Sequence, residues 1–288
     1  MKKTMKLFLV FTFLVTLGLS GNLSAEVKEA LPSSGKPFFF IQLSDPQFGF
    51  MDGNRSITGE IEAMNKAVKI INRLKPAFIV VTGDLVNDSK DESQIKAYQQ
   101  IIARVDPSIP VYTVPGNHDI GTLDSSSIEA YRKHFGNTCF SFRYKDCAFI
   151  GLHSNVIKNE DKAREEAQYK WLEKELKKAK RKKFKFVFTH HSIFLKDINE
   201  KTNYSNLSPE MRTKYISLLK KYNVNAVFAG HLHDNAYGKT GDLEMVTIGA
   251  VGRPLGKGYQ GMNVVKVYPE HYSFEYMALD EFPEEITF

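Results

Sequence analysis

Four runs in this chain, "FFFIQL" (38–43), "FIVV" (78–81), "FKFVF" (184–188) and "AVFA" (226–229), carry at most one polar residue each. A strand with one wet face alternates polar and apolar residues. Short runs without alternation belong to a sheet covered on both faces. Between such runs lie stretches of helical period. Ile61, Met64, Val68, Ile71 and Leu74 share a face of 60–75, and Ile95, Tyr98 and Ile102 do so in 91–105. Leu172, Leu176 and Ala179 do so in 162–182, and Met211, Tyr215, Leu218 and Tyr222 in 209–222, which opens on Ser208 as cap and Pro209 at the first position. Strands are expected at Phe38–Leu43, Phe78–Thr82, Val111–Val114, Phe140–Tyr144, Cys147–Leu152, Phe184–Thr189, Ala226–Ala229, Glu244–Ile248 and Asn263–Tyr268. The order begins β-α-β-α-β and later adds hairpin strands, which predicts an α/β sandwich of mixed β-sheet with helices outside.

The first 25 residues obey a different rule. Lys2, Lys3 and Lys6 precede an apolar run from Leu7 to about Leu19, and small residues continue to Ala25. This is the layout of a secretory signal, and the run is short for a bilayer span. The expectation is 1–25 as a signal peptide, 26–36 as a leader and 37–288 as the functional domain, exported to a periplasm or secreted, with no stable membrane anchor. Cleavage takes three positive charges from a formal net charge of +6. The dense basic block that remains, "KKAKRKKFK" (177–185), lies at the end of a predicted helix and reads as its solvated terminus. It lacks interleaved aromatics, and no nucleic-acid partner is predicted. Cys139 and Cys147 flank "FSFRYKD", a hairpin in which a turn at Lys145-Asp146 pairs Cys147 with Tyr144, so two free or buried thiols are expected.

The residues just past each strand are more informative than the strands. Asp45 and Gln47 come after the first, Gly83-Asp84 after the second, and Gly116-Asn117-His118-Asp119 after the third. His190-His191 come after "FKFVFT", and His231-Leu232-His233 after "AVFAG". In α/β sheets ligands bind beyond the carboxyl ends of the strands. Carboxylate, amide and imidazole are the donors of hard and borderline cations. Asp and Pro are turn residues and His-x-His is common on surfaces, so each element alone has a bland reading. Five in order, each at a strand end, do not arise by chance.

The series D-P-Q … G-D … G-N-H-D … H-H … G-H-L-H resembles the calcineurin-like metallophosphoesterase superfamily over about 38–268, and "SDPQFG" is similar to its subgroup described as Ser/Thr phosphatases. The resemblance implies an αββα-type sandwich and two divalent metal ions, Mn, Fe, Zn or Mg. One would be held by Asp45, Gln47, Asp84 and His233, the other by Asp84, Asn117, His190 and His231, with Asp84 as bridge. His190 rather than His191 is the implied ligand. It further implies that His118 binds phosphate, together with Asn117, and serves as acid to the leaving oxygen, with Asp119 orienting its imidazole. Arg253, in "GAVGRPLG", is a further candidate for phosphate contact. Gly83, Gly116 and Gly230 are expected to let the backbone turn so that the next side chain points inward. The predicted function is hydrolysis of phosphate esters, monoester or phosphoprotein, by metal-activated water, with a phosphorylated substrate as partner. The alternative is a non-catalytic binding protein on the same fold. The loops at 49–59, 192–207 and 252–260 are expected to shape substrate choice.

Overall fold

The computed structural model describes residues 35–288. The predicted signal, 1–25, and residues 26–34 of the leader lie outside the described residues. In chain order the strands are β1 (Phe38–Leu43), β2 (Ile79–Val81), β3 (Val111–Thr113), β4 (Phe140–Tyr144), β5 (Cys147–Gly151), β6 (Phe184–Phe188), β7 (Ala226–Ala229), β8 (Ala236–Thr240), β9 (Leu243–Thr247), β10 (Gly261–Val267) and β11 (Tyr272–Ala278). The helices are α1 (Thr58–Leu74), α2 (Glu92–Ile102), α3 (Asn117–Ile120), α4 (Ser125–Phe135), α5 (Ser154–Lys158), α6 (Lys162–Lys178) and α7 (Pro209–Lys221).

The strands form two mixed sheets, ordered β11-β10-β1-β2-β3 and β4-β5-β6-β7-β9-β8. In the first, β1, β2 and β3 run parallel. In the second, β5, β6, β7 and β9 do. Residue parity decides what each face meets. Phe39, Ile41 and Leu43 of β1 pack outward with Met64, Val68 and Ile71 of α1, while Phe38 and Phe40 point between the sheets. There they meet Phe149, Phe186 and Phe228 from the second sheet, and Phe40 stacks on Phe78 with centroids 4.9 Å apart. On the far face Val187 and Val227 pack with Leu172 and Leu176 of α6 and Leu218 of α7. The result is the expected αββα sandwich. It explains the runs without alternation, since both faces of the central strands are covered.

Asp91 caps α2, accepting from Ser93 N and Gln94 N, and Ser208 caps α7, accepting from Met211 N. Tyr144 pairs with Cys147 across the hairpin, and both thiols are free. The basic block is tied to the protein's own acceptors: Lys178 pairs with Glu175 at 2.6 Å, Lys183 pairs with Glu270, and Lys182 Nζ donates to the Lys145 carbonyl at 2.8 Å. No helix among the described residues is long and apolar enough to cross a membrane. The strands β8 and β11 and the helices α3, α4 and α5 have no counterpart in the periodicity of the sequence.

Candidate metal centre

The parallel strands of both sheets end at one place. Backbone bonds continue past β1 and β2, from Asp45 N to the Gly83 carbonyl (3.1 Å) and from Gln47 N to the Asp84 carbonyl (2.8 Å). Gln42, buried in β1, donates through Nε2 to the Ala229 carbonyl of β7 at 3.1 Å and ties one sheet to the other. Asp45 closes the junction: its Oδ2 accepts from His231 N at 2.9 Å and from Ser44 Oγ at 2.5 Å. The strand ends therefore carry Asp45, Gln47, Asp84 and Asn117 from one sheet to His190, His231 and His233 from the other.

Two clusters result, Asp84–His190–His231 and Asp45–Asp84–His233, and Asp84 belongs to both. His190 Nε2 lies 3.0 Å from Asn117 Oδ1, 3.0 Å from His231 Nδ1 and 3.3 Å from Asp84 Oδ2. His233 Nε2 lies 3.3 Å from Asp45 Oδ1. Donor atoms at the corners of a tetrahedron around zinc stand about 3.3 Å apart, so the spacing suits a cation. The hydrogen bonds suit it as well. His190 Nδ1 meets the Thr82 carbonyl at 2.8 Å and His233 Nδ1 meets the Arg253 carbonyl at 2.6 Å, so each ring keeps Nε2 for the centre. Asp45 Oδ1 and Gln47 Oε1 are buried with no hydrogen-bond partner, which is costly unless something else is bound. Gln47 Nε2 is committed to Asn87 Oδ1 at 3.0 Å, which leaves the oxygen as its free end.

The electrostatics favour positive charge. Burial pushes the carboxyls of Asp45 and Asp84 up, but His233 beside the first and His190 beside the second outweigh it and hold both below the usual range. Burial pushes His190 down, and the Asp84 carboxylate reverses this to about 9. His231 is pushed down to about 4, by burial and then by His190.

Backbone strain is concentrated here. Ten non-glycine residues among those described have positive φ, and five are Asp45, Gln47, Asp84, His231 and His233. The left-handed region is costly for such residues and persists where the surroundings enforce it. This corrects the reading of the glycines. Gly83 does take φ +89°, but Gly116 and Gly230 do not need a positive φ. They are glycine because of crowding: a Cβ at 116 would strike the Asp84 carboxylate, and one at 230 would strike Ser44 Oγ.

One further expectation needs correction. Asp119 does not touch the His118 imidazole. Its Oδ1 accepts from Leu85 N (2.7 Å) and Val86 N (3.1 Å), and its Oδ2 from Gly116 N (2.8 Å), so it fixes the loops that carry Asp84 and Asn117. His118 is oriented instead by its Nδ1 against the Asn87 carbonyl (2.8 Å) and by its backbone N on Asp84 Oδ1 (2.8 Å). The Arg253 side chain packs on Phe50. Its guanidinium lies over the Phe50 ring, 5.4 Å from the centroid, and donates to the Met51 carbonyl at 3.2 Å. Phe50 in turn lies edge-on to His233, with centroids 5.1 Å apart, so the Arg253 charge stands one ring away from the centre. His191 belongs to neither cluster; its Nδ1 lies 3.1 Å from Ser154 Oγ and its ring 4.4 Å from that of His231. Asn87, which holds both Gln47 and His118, does not stand out in the sequence; its position three residues past Asp84 is the signal that could have found it.

Fold and donor set define a metal-dependent phosphoesterase with two cation sites of Asp and His that share one carboxylate. Residues 40–235 match the family described as calcineurin-like phosphoesterase, and the chain belongs to it. It is 36% identical over 265 residues to the serine/threonine-protein phosphatase CPPED1 of Rattus norvegicus, covering 85% of each chain. A second relative, the probable glycerophosphodiester phosphodiesterase GpdQ of Arcobacter nitrofigilis, is 30% identical over 177 residues, 60% of this chain and 63% of that one. The crystal structure of a dimetal phosphatase from Danio rerio shares the fold, with TM-score 0.65 at 15% identity, covering 84% of this chain and 96% of that one. The alternative of a non-catalytic binding protein would require a degraded centre, and this one keeps its donors.

Proposed function

We propose that the chain hydrolyses phosphate monoesters, phosphorylated serine and threonine side chains of proteins among them. The observation that carries this reading is the 36% identity over 85% of both chains to a protein named a serine/threonine-protein phosphatase. In this reading Asp45, Gln47, Asp84 and His233 hold one cation, and Asp84, Asn117, His190 and His231 hold the other. Two such cations supply Lewis-acid polarisation of the phosphate and a water of lowered pKa. The protein's own groups set the rest. With His118 Nδ1 engaged by the Asn87 carbonyl, a proton given to the leaving oxygen passes through Nε2. Asp119 contributes as the anchor of the two ligand loops.

The test uses chelator-stripped protein, with Mn, Fe, Zn or Mg added back, against an aryl phosphate monoester, the corresponding diester and a phosphoserine peptide. Faster turnover of monoester and peptide is expected. A preference for the diester would overturn the proposal and favour an activity like that named for the Arcobacter nitrofigilis relative. Export belongs to the same proposal, supported by the Lys-rich start, the apolar run and the small residues up to Ala25. Intact-mass analysis of native protein should find a chain beginning near Glu26; a cytoplasmic species beginning at Met1 would refute it.

A further inference from the structure

Beyond His190 and His191, the loop 192–207 reaches the centre with the side chain of Tyr204. Its hydroxyl accepts from Asn117 Nδ2 at 3.1 Å, and its ring lies 4.6 Å from that of His231. Yet Tyr204 is 67% exposed, the most exposed of the large apolar side chains among the described residues. An exposed aromatic is ordinarily free to leave its neighbours. Here the backbone around it is fixed from both sides.

Lys158 of α5 donates through Nζ to the carbonyls of Asn203 (2.7 Å) and Asn206 (2.5 Å), one on either side of Tyr204. Arg212 of α7, 2% exposed, donates to the carbonyls of Ile198 (2.5 Å), Glu200 (2.8 Å) and Leu207 (3.0 Å). The Glu200 carboxylate accepts from the backbone N of Leu195 (2.7 Å) and Lys196 (2.9 Å) and from Asn206 Nδ2 (2.6 Å). A buried arginine and a half-buried lysine, both committed to loop carbonyls, hold an exposed tyrosine in place, and what that placement does is visible at Asn117.

The Asn117 amide has two ends of opposite character, an accepting oxygen and a donating nitrogen. A cation site accepts the oxygen and rejects the nitrogen. With Nδ2 engaged by the Tyr204 hydroxyl, Oδ1 is the end left beside His190 Nε2, at 3.0 Å. We infer that Tyr204 is a positioning residue of the Asp84–Asn117–His190–His231 site, its hydroxyl setting the Asn117 amide oxygen-inward and its ring covering His231. The inference rests on the phosphoesterase reading of the centre and deepens it, because it makes the 192–207 loop part of one cation site and not of the other.

The test is calorimetric titration of chelator-stripped protein with Mn²⁺, comparing wild type, Tyr204→Phe and Tyr204→Ala. Partners that orient a metal ligand are typically worth about 10- to 100-fold in affinity. In Tyr204→Phe one of two binding steps should weaken by about tenfold and the other should stay as in wild type. In Tyr204→Ala the same step should weaken further, since the ring over His231 is also gone. Thermal unfolding of the stripped proteins should be unchanged, as expected for an exposed side chain. Two steps in Tyr204→Phe identical to wild type, or an equal loss in both, would overturn the inference while leaving the phosphoesterase reading intact. A wild type that binds no Mn²⁺ would overturn both.

Discussion

Asp84 stands in both donor clusters, held at φ +50° at the tip of β2 with its Oδ1 accepting from His118 N. Asp84→Ala should therefore release both ions and reduce hydrolysis to background, which elemental analysis and rate measurement would show together; full occupancy in the variant would remove Asp84 from the bridge. Gln47 presents a neutral oxygen where an imidazole would bind borderline metals more strongly. Gln47→His is expected to tighten that site and move its preference toward Zn or Fe, read by metal competition, whereas unchanged affinity and selectivity would mean that Gln47 is not a ligand. His118→Ala should keep both ions and lose about 10²- to 10⁴-fold in turnover, less for substrates with good leaving groups; an equal loss for all leaving groups would count against the acid role. The Asp and His residues of the two clusters are legible in the sequence, because their types and their places at strand ends are chemical facts. The partners of His118 are not. His118 and Asp119 are adjacent in a helical turn, and side chains one apart on a helix do not face each other, so adjacency misled where the Asn87 carbonyl was the true neighbour.

At the scale of elements, the buried strands and the helices α1, α2, α6 and α7 are legible from periodicity, because burial on two faces or on one stripe leaves a plain pattern. The strands β8 and β11 are not legible: each lies at the edge of its sheet, β8 ("AYGKT") buries only Ala236 and Gly238, and β11 buries none of its residues fully. The helix α4, "SSSIEAYRKHF", buries only Ile128 and Tyr131, too thin an apolar stripe to show a period. α3 has four residues, fewer than a periodicity needs. The junction of β1 with β7 depends on close approach at Gly230. Gly230→Ala would push a methyl against Ser44 Oγ and part the two strand ends. The variant should keep its far-UV circular dichroism and bind the ions of the Asp45 cluster at least about tenfold more weakly. Wild-type binding would mean that the junction yields without moving the ligands.

The whole molecule adds a pH dependence from outside the centre. His153, between β5 and α5, is pushed down to about 3, first by burial and then by the charges of Arg132 and Arg164. From its ordinary 6.5 down to about 3 the unfolded chain binds a proton there that the folded chain refuses, so this contribution to stability is full above pH 6.5 and is lost as pH falls through that window. Urea unfolding of His153→Gln should show a shallower loss between neutral pH and about pH 4.5 than wild type, and an identical slope would assign the acid sensitivity elsewhere. The aromatic layer between the sheets explains how a centre built from both can be held rigidly: Phe40 alone meets Phe78, Phe149, Phe186, Phe188 and Phe228. The shared carboxylate of Asp84 in both clusters implies that hydrolysis requires two cations joined through it. The most direct measurement is the rate of aryl phosphate hydrolysis by chelator-stripped protein as Mn²⁺ is returned in steps. The stripped protein should be silent, and its activity should rise to a plateau at two ions per chain. Undiminished activity in the stripped protein, or a plateau at one ion, would contradict this requirement.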